Sequence, residues 1–140
     1  MIRFISVVLI SFLIFQTSYS FASRYEVSAE QDIGAIYDQL KSQPGLTSSE
    51  RLDLISQFFL NKPYVLGALG EGDDARFDQY PLYRTDGFDC ITFVETVLAI
   101  YSSSDIPSFR KNIRNIRYLE GEVSYTTRKH FPSTDWNPSN

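Results

Sequence analysis

The sequence predicts an α+β domain, and three observations carry that prediction. Apolar residues recur at helical spacing behind capping signals, a Gly-, Asp- and Tyr-rich loop interrupts them at 64–87, and two strand-like runs follow residue 115. Helices first and strands last is the order of a segregated α+β architecture.

Each element has a local cause. Ser28-Ala29-Glu30-Gln31 has the form of a capping box, and Ile33, Ile36, Tyr37 and Leu40 follow on one helix face until Pro44-Gly45 stops it. Thr47-Ser48-Ser49-Glu50 opens a second helix, with Leu52, Ile55, Phe58 and Phe59 facing inward and Asn61 and Pro63 ending it. The loop from Tyr64 to Gly87 is long enough to predict a functional surface. Asp86 or Asp89 caps a third helix running from Cys90 to about Tyr101, anchored by Phe93, Val94, Val97, Leu98 and Tyr101. Ile106-Pro107 starts a short helix carrying Phe109 and Ile113. Ile116-Arg117-Tyr118 reads as a strand, Glu120-Gly121 as a turn, and Glu122 to Phe131 as a second strand. Two strands make no stable sheet alone, so the domain is expected to be C-terminally incomplete.

Residues 1–22 read as an export signal: Arg3, an apolar run from Phe4 to Phe15, and Ser20-Phe21-Ala22 as a small-x-small cleavage site. The run is too short and too abruptly ended for a spanning helix. The expected organisation is therefore a signal over 1–22 and one domain over 23–140, periplasmic or secreted, with no stable membrane association after cleavage. The full chain carries a net charge of −4, and losing Arg3 makes the remainder about one unit more acidic. That balance argues against nucleic acid and anionic membrane surfaces as partners. Tyr 9 and Phe 11 suit a carbohydrate- or peptide-binding cleft as well as an ordinary core.

The chain holds one cysteine, Cys90, and one histidine, His130. A lone thiol in an exported domain has no disulfide partner, so chemistry explains it better than cross-linking does. Cys90 falls in the first turn of its helix, where the dipole favours thiolate. Lowering a thiol from about 8.5 to about 7 takes roughly 2 kcal/mol, and a helix terminus supplies about 0.3–1 kcal/mol. A base must supply the rest, and only His130 is available. A core cysteine and a structural histidine are the plainer alternatives. One cysteine and one histidine make no zinc site, and no metal or cofactor is expected.

Tyr64-Val65-Leu66-Gly67, Phe88-Asp89-Cys90-Ile91-Thr92-Phe93-Val94-Glu95, Ile116-Arg117-Tyr118-Leu119-Glu120-Gly121, Arg128-Lys129-His130-Phe131 and Asp135-Trp136 together resemble the NlpC/P60 superfamily of cell-wall cysteine amidases and peptidases. They are most similar to its N-acetylmuramoyl-L-alanine amidase-like branch, domain of unknown function 1460, from about Ser49 to Asn140. The resemblance implies a papain-like fold, its nucleophile helix packed on an antiparallel sheet. It also implies Cys90 as nucleophile, His130 as base and Tyr64 lining the substrate cleft. The implied substrates are peptidoglycan fragments, cut between the muramic acid lactyl group and L-alanine by an enzyme expected to be monomeric. Two readings stand beside it: a γ-D-glutamyl–diamino acid endopeptidase of the same superfamily, and a truncated, non-catalytic remnant.

Superfamily members carry a polar third residue orienting the histidine; here the nearby candidates are Asp135, Asn137 and Asn140. Asp89 is read as a helix cap or a substrate contact. Glu95 is read as a buried, paired carboxylate, and Trp136 as a core or sugar-stacking ring. Gly67, Gly70 and Gly72 are turn glycines, too irregular for a phosphate loop. Arg110, Lys111, Arg114 and Arg117 read as a solvated helix face.

Overall fold

The computed structural model describes residues 21–140, where four α-helices carry the fold: α1 (Phe21–Ser42), α2 (Ser48–Gln57), α3 (Cys90–Tyr101) and α4 (Ile106–Arg117). Apart from Phe21 and Ala22, which open α1, the export-signal segment lies outside the described residues. The apolar faces meet in one core: Ile33, Ile36 and Leu40 of α1, Ile55 of α2, Val97 and Ile100 of α3, and Phe109 and Ile113 of α4. Burying such side chains is the main driving force here, at about 1.5–3 kcal/mol each.

Three helices start where local chemistry sets them. Thr47 and Glu50 form a reciprocal capping box at α2, with the Thr47 N–H donating to Glu50 Oε2 at 2.8 Å. Asp105 and Ser108 do the same at α4, whose first turn also holds Pro107. Asp89 and Thr92 box the start of α3. The first helix differs from expectation. Ser28 lies inside α1, and Asp73, fifty residues downstream, accepts the N–H groups of Ala22 and Ser23 at 3.0 and 3.1 Å.

The expected α+β, papain-like architecture is overturned: the described residues form no sheet, and their strand pairing is confined to two isolated bridges. Ile116 and Arg117 finish α4 instead of forming a strand, since Phe109, Ile113 and Arg117 share one buried helical face. The segment expected as a second strand turns on itself. Arg128 N–H donates to Ser124 O at 3.1 Å, and Thr127 Oγ1 donates to the carbonyls of Glu122 and Ser124. What survives of the pairing is a single antiparallel bridge, Tyr118 to Arg128. No antiparallel sheet therefore backs α3.

The 64–87 loop is tied down at many points. Tyr83 stacks edge-on against Phe109 with centroids 5.1 Å apart, and its hydroxyl donates to Glu30 at 2.5 Å. Glu30 also receives both arms of Arg110 at 2.7 Å, while Asp32 accepts from Thr85 at 2.6 Å. Gly70 is required by close approach: a Cβ there would lie 2.4 Å from the Asp78 carboxylate and 2.6 Å from its carbonyl.

Arg117 links these parts. It is 3 % exposed, so its place on a solvated face is corrected. Its Nε lies 3.3 Å from Glu95 Oε2, and its Nη1 donates to Leu82 O at 2.5 Å. Arg117→Leu leaves Glu95 and a loop carbonyl unpartnered in the interior. The unfolding free energy from urea titration is expected to fall by about 3–5 kcal/mol; a loss below 1 kcal/mol would show that the pair is dispensable.

Candidate active site

Cys90 opens α3 and is exposed. Its position is set from both sides. Upstream, Phe88 N–H donates to Pro63 O at 3.1 Å and Val65 N–H to Phe88 O at 2.9 Å, so the chain entering the helix is clamped to the end of the α2 segment. A Cβ on Gly87 would meet Val65 Cγ2 at 2.7 Å, which is why the clamp needs glycine. Phe88 packs edge-on against Phe59 and Phe93, at 5.0 and 5.8 Å. Downstream, Asp89 Oδ1 accepts Thr92 N–H at 2.8 Å, and Thr92 Oγ1 accepts Asp89 N–H at 2.9 Å. Of the two possible caps, Asp89 is the one used. Asp86 instead forms a two-armed pair with Arg84 at 2.6 Å, which holds its carboxyl below the usual range.

His130 follows the Tyr118–Arg128 bridge. Its Nε2 lies 2.8 Å from Tyr125 O, and a carbonyl can only accept, so the Nε2 carries the proton. In the neutral ring this leaves Nδ1 as the acceptor. The imidazole also rests against the Tyr125 ring, centroids 4.8 Å apart.

His130 and the two residues flanking Cys90, Asp89 and Ile91, line one cavity of about 370 Å³. Its floor is the Glu95–Arg117 pair. Burial pushes the Glu95 carboxyl up; Arg117 and Arg128 pull it down by a smaller amount, and an Asp89 charge adds to the rise. With both side chains at 5 % exposure or less, desolvation is the stronger influence. Trp136 lies on the same wall. Its indole is near enough to lower the Glu95 pKa slightly, yet its buried N–H makes no well-formed hydrogen bond.

The predicted site residues separate into two groups. Asp89 and His130 line this cavity, and Cys90 lies in sequence between two of its lining residues, Asp89 and Ile91. Tyr64 bridges Phe88 but is 69 % exposed and does not line the cavity. The expected third residues are occupied elsewhere: Asp135 accepts Phe131 N–H at 3.1 Å, and Asn140 donates to the carbonyls of Ile116 and Trp136 at 3.1 and 3.0 Å. The orienting acceptor on His130 is the main chain of Tyr125, which no side-chain motif announces. Arg117 was detectable, because it continues the spacing of Phe109 and Ile113. Among the described residues no three His, Cys, Asp or Glu side chains cluster to hold a metal ion, and no helix is long and apolar enough to cross a membrane.

The profile of the N-acetylmuramoyl-L-alanine amidase-like (AmiA-like) family matches residues 54–140, and the chain belongs to that family. The match runs from within α2 through the loop, the Cys90 helix, α4 and His130. Among solved structures, the protein LPG0564 of Legionella pneumophila strain Philadelphia 1, assigned to domain of unknown function 1460, superposes with a TM-score of 0.80 and is 40% identical. That match covers 85% of this chain and 39% of the Legionella chain. A search of curated proteins gave no match.

Two outcomes test this description. Asp89→Ala is expected to cost about 0.5–2 kcal/mol and Asp89→Asn only a few tenths, measured by denaturation, because capping needs an acceptor more than a charge. Glu95 ionises less readily in the folded chain than in the unfolded one, so it weakens the fold as pH rises above its ordinary 4.5. Glu95→Gln lacks that loss. Its stability relative to the parent is expected to improve between pH 4 and pH 7, and a difference that stays flat would contradict the raised pKa.

Proposed function

We propose that the protein cleaves the amide between N-acetylmuramic acid and L-alanine in peptidoglycan fragments, with Cys90 as nucleophile and His130 as base, in the manner of NlpC/P60 hydrolases. The observation that carries this reading is the shared cavity. The lone histidine and both neighbours of the lone cysteine line it, and the histidine's free Nδ1 is defined by the bond to Tyr125.

In this reading the Cys90 proton passes to His130 Nδ1, and the sulfur attacks the lactyl carbonyl carbon. The carbonyl oxygen becomes an oxyanion at the start of α3. There Asp89 already occupies the N–H groups of Thr92 and Phe93, and those of Cys90 and Ile91 are left as donors. His130 then protonates the L-alanine nitrogen as the C–N bond breaks, leaving a thioester and a free amine. Water, deprotonated by His130, attacks the thioester carbonyl; the C–S bond breaks, the sugar acid leaves, and the thiol recovers its proton. Tyr125 O holds the ring through the cycle. The apolar run before Ser23 supports reading the protein as exported, with this chemistry periplasmic or secreted. Removing 1–22 there would put the new Ser23 ammonium at the Asp73 carboxylate that now accepts its N–H.

The test is mass spectrometry of the full chain incubated with anhydro-muramyl peptides. Free sugar acid and an intact stem peptide beginning with L-alanine are expected. Cys90→Ala should reduce turnover to background and His130→Ala by about 10²–10⁴-fold. Cleavage between D-glutamate and the diamino acid would identify the endopeptidase instead, and full hydrolysis by Cys90→Ser would overturn the mechanism. Intact mass of protein recovered from the periplasm or medium is expected to begin at Ser23; a chain retaining Met1 there would overturn the processing.

A further inference from the structure

We infer that the groove leading from His130 across Tyr125 and Phe77 to Glu71 is the subsite for the saccharide ring of the substrate, an inference that rests on the amidase reading above.

Two large aromatic side chains stand open to solvent beside the candidate site: Tyr125 at 56 % and Phe77 at 71 % exposure. They form a continuous wall. Tyr125 lies against the His130 ring, and Phe77 meets Tyr125 edge-on with centroids 6.3 Å apart. Arg76 caps the outer end, its guanidinium carbon 4.9 Å from the Phe77 centroid. Phe77 also lines a second cavity, of about 360 Å³, together with Glu71, Asp74, Arg76 and Ser124. Ligand pockets begin at about 300 Å³.

A second, independent observation lies in that cavity. The Glu71 side chain is 4 % exposed, and its buried Oε1 accepts no hydrogen bond. The Arg128 Nη1 is 3.9 Å away, beyond hydrogen-bond range, and is committed to Asp78 at 2.8 Å. A buried carboxylate oxygen without a donor is unfavourable, and a ligand hydroxyl or amide N–H relieves it. The ligand must therefore present an apolar face to Phe77 and Tyr125 and donors to Glu71 and Asp74. A pyranose ring does both, with C–H groups on its faces and hydroxyls at its rim. An apolar peptide would satisfy Phe77 and leave Glu71 unpartnered. The connectivity also fits. The muramyl ring sits one lactyl group from the scissile carbonyl, so a substrate reacting beside His130 extends its sugar over the adjoining wall.

Phe77→Ala removes an exposed ring with little at stake for the fold, which an unchanged melting curve verifies. With anhydro-muramyl peptide, KM is expected to rise about five- to tenfold with kcat within about twofold, the pattern of lost substrate binding. Cleavage of an N-acetyl-L-alanyl peptide lacking the sugar should be unaffected, and Phe77→Tyr should behave as the parent. Equal losses on both substrates would overturn the assignment. A binding experiment stands apart from catalysis: the full chain carrying Cys90→Ala is titrated with N-acetylmuramic acid and followed by NMR. Binding weakened by Phe77→Ala supports the subsite even if no hydrolysis is seen. Sugar binding indifferent to Phe77→Ala, an absence of sugar binding, or a sugar-free stem peptide weakened instead would each refute it while leaving the amidase reading standing.

Discussion

The ion pair between Glu95 and Arg117 is the interaction on which the rest of this structure depends. Glu95 belongs to the helix that begins with Cys90, and Arg117 ends α4. The guanidinium also reaches the loop, at Leu82 O and more distantly at Gly70 O, 3.4 Å away. Tyr118 OH reinforces the second of these at 2.9 Å. The main chain of the same residue then receives the histidine segment, since Lys129 N–H donates to Arg117 O at 2.9 Å. Arg117 thus ties the Cys90 helix and the loop with its side chain, and the neighbour of His130 with its backbone. Taking two charges out of water is costly, and attraction between them repays it only when the remaining hydrogen-bonding capacity is filled. The carbonyls of the loop fill it, which makes the loop a structural partner of the pair.

This arrangement explains how His130 and the two neighbours of Cys90, some forty positions away, come to line one cavity without a sheet to carry them. The bridge from Tyr118 to Arg128 fixes the direction of the chain, and the turn bonds around Ser124 and Thr127 bring the Tyr125 carbonyl under the imidazole. A main-chain acceptor fixes the tautomer as well as a side-chain acceptor does, because the requirement is geometric: one nitrogen must donate so that the other cannot. Its orientation depends on the local turn and is independent of the residue type at 125.

What was legible in the sequence was local. Thr47 with Glu50, and Asp89 with Thr92, announce helix starts because both partners lie within four residues of each other. Cys90 and His130 stand out in the sequence because each is the sole representative of its type. The misreadings share a cause in long-range contacts. Ser28 has the form of a cap but lies within α1, and it is Asp73 of the loop that accepts the N–H groups of Ala22 and Ser23. Ile116-Arg117-Tyr118 has β-propensity in isolation, yet burial against α3 and the loop keeps its first two residues helical. Glu122 to Phe131 contains the alternation of a strand, but Ser124 and Thr127 offer the backbone turn bonds before any sheet edge competes for it. Arg117 was assigned to solvent by its charge, when its spacing from Phe109 and Ile113 already placed it inside.

The disposition of the remaining cations bears on what kind of partner the site accepts. A chain of net charge −4 might still bind a polyanion through a local basic patch. Beside His130, however, three positive groups are committed internally. Arg117 serves Glu95 and two carbonyls, and Arg128 serves Asp78 and Leu69 O. Lys129 donates to Asn115 O and Asn140, and its partial burial pushes its pKa down. The groove presents the aromatic faces of Phe77 and Tyr125, the Asp74 carboxylate and the Arg76 guanidinium, with the buried Glu71 in its lining. Those groups suit an uncharged ring bearing hydroxyl and amide donors. The surface chemistry along this groove therefore agrees with the saccharide subsite inferred above.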